Sequence, residues 1–120
     1  MKKIMMLAAA CMGILFLAGC SDTPQDVAKK WAQALENQDV EKANKYSTEN
    51  TKFFNAMIVD AVKKDQGKVR KNLKEMINNV SGSEVKIDGD NAVVAVETDG
   101  KTANYKMKKV DGQWKVDVSK

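Results

Sequence analysis

The chain of 120 residues has no histidine, 1 proline, 2 cysteines and only 6% aromatic residues. With no imidazole, a Ser-His-Asp or Cys-His nucleophile, a histidine-ligated zinc and a histidine pH switch are all excluded. The 7 glycines form no phosphate loop of the Walker or Rossmann kind. The one long apolar run, Ile4 to Leu17, is shorter than the about 20 residues that a membrane-spanning helix needs. The single proline, Pro24, leaves no proline-rich linker. What is present, 43% hydrophobic and 30% charged residues, suits one small domain with one core.

That apolar run follows Lys2 and Lys3 and ends at Ala18, Gly19 and Cys20, the layout of an export signal. Leu17, Ala18, Gly19 and Cys20 resemble a bacterial lipobox, in which the thiol is acylated before cleavage. The resemblance implies removal of residues 1–19, lipid on Cys20, a short tether over 20–23 and a domain over 24–120. Cys11 lies in the removed part, so Cys20 is the only mature cysteine and no internal disulfide forms. The competing reading is an ordinary signal cut near Ala18, leaving Cys20 as a free thiol. Ser21 stands where an aspartate would resemble an inner-membrane retention signal, so the expectation is outer-membrane attachment facing the periplasm if the source has two membranes. Without Lys2 and Lys3 the balance is 18 basic against 16 acidic side chains, too even to argue for nucleic acid.

Thr23, Pro24 and Asp26 predict a helix start, with a threonine cap, proline at the first position and a carboxylate facing the positive helix end. Val27, Trp31 and Leu35 give that helix an apolar face up to about Glu36. A short second helix carries Val40, Ala43 and Tyr46. Thr48 is expected to cap a third, with a stripe of Phe53, Phe54, Met57, Ile58, Ala61 and Val62, and a fourth after Gly67 carries Val69, Leu73, Met76, Ile77 and Val80. From Ser83 the period becomes two, giving four strands around Val85, Val94, Tyr105 and Trp114. The connections Asp88-Gly89-Asp90-Asn91, Asp99-Gly100-Lys101 and Asp111-Gly112-Gln113 predict hairpins. The fold class is therefore α+β, N-terminal helices packed on a C-terminal four-stranded antiparallel sheet.

Val27 to Tyr46 (VAKKWAQALENQDVEKANKY) and Lys108 to Asp117 (KKVDGQWKVD) resemble small bacterial lipoproteins of unknown function in the nuclear-transport-factor-2-like, or SnoaL-like, superfamily. The resemblance implies a curved sheet wrapped around a long helix into a cone-like two-layer domain. It implies no activity, because that superfamily contains both enzymes and non-catalytic binding modules.

An enzyme of this fold needs a carboxylate base facing a tyrosine or neutral acid in an apolar pocket. Asp60, Tyr46 and Tyr105 are the residues to weigh, against the plainer reading of solvated carboxylates and rim tyrosines. Trp31, Phe53, Phe54, Tyr105 and Trp114 are candidates to line a cone that holds an apolar ligand, or simply to fill it. Lys63, Lys64, Lys68, Arg70, Lys71 and Lys74 crowd one region with only Asp65 and Glu75 against them. They suit an anionic surface or acidic envelope partner, or else a solvated helix face. Asp88, Asp90 and Asn91 lack EF-hand spacing, so no metal or cofactor is expected there or elsewhere. The expected function is a membrane-anchored, non-catalytic binding module of the envelope; the alternative is a small enzyme of the same superfamily.

Overall fold

A computed structural model describes residues 22–64 and 67–118. The expected signal segment, Cys11, Cys20 and Asp65 lie outside the described residues. Helix α1 spans Pro24–Glu36, and Thr23 caps it as expected: its hydroxyl accepts the Asp26 N–H while the Asp26 carboxylate accepts the Thr23 N–H, both at 3.2 Å. Val27, Trp31 and Leu35 are all buried. Helix α2, Val40–Lys45, starts on the Asp39 carboxylate, which accepts the Lys42 N–H.

Helix α3 departs from expectation. It spans Lys52–Lys63 after a 3-10 turn at Glu49–Thr51, and Thr48 does not cap it. The Thr48 hydroxyl instead donates to Asp117 at 2.6 Å, tying the turn to the far end of the chain. The buried face is Asn55, Val59 and Val62, whereas Phe53 is 74% and Met57 47% exposed. Residues two apart on a helix point about 200° apart, so burying Asn55 turns Phe53 and Met57 outward. Four hydrogen bonds explain the choice. Trp31 Nε1 donates to Asn55 Oδ1 at 2.7 Å, and Asn55 Nδ2 donates to Asn44 Oδ1 at 2.9 Å and to Ser47 Oγ at 3.0 Å. Ser47 Oγ donates in turn to the Ala43 carbonyl at 2.7 Å. Replacing Asn55 with leucine is expected to destabilise the domain by about 1–3 kcal/mol for each group left buried and unpaired, Trp31 Nε1 first among them. A urea unfolding series checks this, and a change under about 0.5 kcal/mol would show the network to be energetically idle.

Helix α4, Gly67–Asn79, lies alongside α1 and is followed by a 3-10 turn at Val80–Gly82. Strands β1 (Glu84–Asp88), β2 (Asn91–Thr98), β3 (Lys101–Val110) and β4 (Gln113–Val116) form an antiparallel meander in chain order. Its tight turns follow the Asp-Gly signals: Asp99 and Gly100, then Asp111 and Gly112, all have positive φ, the two-residue pattern whose twist matches that of the strands. Ala92, Val94, Val96, Met107 and Val116 are buried beneath the helices. The opposite sheet face carries Lys86, Asn104, Lys106 and Lys108, all exposed, around half-buried Val93 and Ala95. The outer edge of β4 is covered by the loop after α2, since Val116 N–H donates to the Tyr46 carbonyl and Thr48 N–H to the Val116 carbonyl.

Candidate functional site

Three of the five candidate aromatics come together. Trp31 on α1 stacks on Phe54 of α3 at 6.3 Å between ring centroids and meets Tyr105 of β3 edge-on at 5.8 Å. These rings wall a cleft of about 190 Å3 whose remaining lining comes from Leu35, from Ile58 on α3, and from Val69, Asn72, Leu73 and Met76 on α4. A cavity of about 150 Å3 admits benzene, while drug-sized ligands need about 300 Å3 or more. The cleft therefore has room for one ring or a short branched chain.

The other two aromatics are corrected. Phe53 faces solvent for the reason given above and does not line this cleft. Trp114 is buried at 7% exposure, but at another place in the core, beside Val27 and Tyr46, with the Lys109 ammonium 5.3 Å from its ring centroid. Strand alternation sets which face a side chain takes, not which helix covers it there.

Of the groups lining the cleft, Tyr105 is the one that titrates, and burial pushes its phenol above the ordinary tyrosine value. It stays protonated at neutral pH and offers a hydroxyl donor. Asp60 is exposed and pairs with Lys64 at 3.0 Å on the outside of α3, and Tyr46 lies near Lys30 and Lys42, so the three residues considered for acid–base work are not assembled. Sequence reasoning assigned Leu35, Val69, Leu73 and Met76 to core stripes and did not single out Asn72. Its signal is an amide lodged between Val69 and Leu73 in a helix otherwise apolar on that side.

The basic stretch is divided. Lys64 is bound to Asp60 and Lys74 to Glu36, each at 3.0 Å. Lys63, Lys68, Arg70 and Lys71 have no ion-pair partner among the described residues. Elsewhere, Lys30 donates to Asp22 at 2.7 Å, and that hydrogen bond raises its pKa above the usual lysine value. Glu75 accepts the Asp99 N–H through Oε2, while its buried Oε1 has no partner among the described residues. Among the described residues no cluster of three or more histidine, cysteine, aspartate or glutamate side chains could hold a metal, and no helix is long and apolar enough to cross a membrane. Comparison with family models, with characterised proteins and with solved structures finds no match to the chain.

Proposed function

We propose that this chain is a lipid-anchored, extracytoplasmic binding module of the cell envelope, attached through Cys20, on the outer membrane facing the periplasm where the source has two membranes. The attachment rests on the Leu17-Ala18-Gly19-Cys20 motif after a charged, then apolar, N-terminus. The single observation that carries the binding role is the aromatic cleft. Its apolar walls suit the burial of a small apolar group, and its one amide and one phenol suit a hydrogen bond to a polar atom carried by the same ligand. An enzyme of the SnoaL-like kind needs a proton-accepting carboxylate beside such a cleft, and Asp60, the acid on α3, is on the solvent side. The nuclear-transport-factor-2-like cone belongs to the same proposal. Its support is the helices-then-sheet order and the place of α1, which touches the other three helices as well as β2 and β4.

The test has two readings on one preparation. In cells fed a fatty-acid analogue, the wild-type protein is expected to incorporate label and Cys20→Ala to incorporate none. Label persisting in the variant would refute the attachment. Native mass spectrometry of the detergent-extracted protein is expected to show a retained small molecule or partner that is lost on Trp31→Phe/Tyr105→Leu. A mass equal to the acylated chain alone in every preparation would refute the binding role.

A further inference from the structure

The position of Asp22 limits which part of the domain can meet a membrane. Its carboxylate is held by the Lys30 ammonium at 2.7 Å, and the next residue already caps α1, so Asp22 is fixed to the domain. It shares a shallow depression of about 250 Å3 with Lys45, Trp114 and Lys115, at the corner where α2 ends and β4 begins. Cys20 is two residues earlier, and two residues of fully extended chain reach about 7 Å at most. Given the acylation of Cys20 proposed above, on which this placement rests, the bilayer surface begins within that reach of this corner.

The corner is equipped for such a contact. The Lys115 ammonium donates to the Lys45 carbonyl at 2.8 Å, so it lies over the last turn of α2 next to the Lys45 side chain. Lys108 stands directly across from Lys115 in the β3–β4 register. Like charges in that arrangement disfavour the sheet, and none of the three lysines has an ion-pair partner among the described residues. Of the acids nearby, Asp22 is paired with Lys30, Asp117 accepts the Thr48 hydroxyl and keeps its charge, Asp111 is at the tip of the β3–β4 turn, and Asp90 lies beside Lys108, its carbonyl accepting the Lys109 N–H at 2.7 Å.

The cations on α4 lie at the opposite end. Lys74 pairs with Glu36, the last residue of α1 and so the end of that helix away from the tether. That end of α1 is roughly the length of the helix, about 20 Å, from the tether. That exceeds the screening length of about 8–10 Å at physiological salt.

We infer that the corner carrying Lys45, Lys108 and Lys115 rests on the anionic phospholipid head groups of the membrane that holds Cys20, with the α4 cations turned away from it. The full-length acylated protein, reconstituted in vesicles of phosphatidylcholine and phosphatidylglycerol, tests this with a nitroxide on Gln113→Cys or on Lys71→Cys. Collisions with oxygen against a water-soluble nickel chelate read the depth of each label. The Gln113→Cys label is expected at head-group depth and the Lys71→Cys label in bulk water. Neutralising Lys45, Lys108 and Lys115 to glutamine should reduce the apposed population about fivefold per charge, and Lys68→Gln/Arg70→Gln should leave it unchanged. Equal depth at both positions, or a deeper label at Lys71→Cys, overturns the orientation while leaving the anchor intact. Absence of fatty-acid label from the wild-type chain overturns both.

Discussion

Trp31→Ala is expected to cost about 5 kcal/mol or more and to leave the domain close to its unfolding midpoint at room temperature. Emptying a buried tryptophan site costs about 3–5 kcal/mol. Here the indole is 2% exposed and touches Phe54 and Tyr105, so the void opens at the meeting of three helices and the sheet. The indole N–H also donates to Asn55, and its loss strands a buried amide oxygen for about 1–3 kcal/mol more. Against a total of about 5–15 kcal/mol for a domain of this kind, the sum is most of the stability. Trp31→Phe separates the two contributions by retaining a ring without the donor. It should lose about 1–3 kcal/mol in urea unfolding, and a Trp31→Ala loss as small as that of Trp31→Phe would contradict this account.

The second large effect is expected at Trp114. This side chain fills the core under the β3–β4 hairpin, 7% exposed, with the Lys109 ammonium over its ring. Trp114→Ala should cost about 3–5 kcal/mol, and Lys109→Met only about 0.5–1 kcal/mol, the value of an exposed cation–π contact. For a domain of about 100 residues the alanine variant should melt at least about 12 °C lower. A drop of only a few degrees would mean that the hairpin closes without this ring.

The features legible in the sequence are those decided by neighbours in the chain. The cap at Thr23, the α1 face of Val27, Trp31 and Leu35, and the Asp-Gly hairpins each depend on a few adjacent residues, and the structure has them as the spacing indicates. The orientation of α3 was not legible. Phe53, Phe54, Met57 and Ile58 are a better apolar stripe than the face around Asn55, and the partners that override them, Trp31, Asn44 and Ser47, come from other elements. The grouping of aromatics fails for the same reason: alternation puts Trp114 inward, but only the register of β4 against β3 sets it under Val27 instead of Trp31. The six clustered cations likewise read as one patch in the sequence, because the packing of α4 on α1 that brings Glu36 to Lys74 is a tertiary contact.

The Asn55 network bears on how many states this sequence has. A helix with two faces, each apolar enough to be buried, has two competing basins: one with Asn55 inward, one with Phe53 and Met57 inward. Hydrophobic burial alone separates them poorly, because it is non-directional. The second basin would leave the Trp31 N–H and the Asn44 and Ser47 side chains without their partner, and this directional penalty opens the energy gap that a unique fold requires. An apolar residue at position 55 would therefore do more than weaken the domain. It would flatten the landscape, so that α3 samples both rotations and the amide resonances of residues 52–63 broaden or double while those of the β2–β3 hairpin stay sharp.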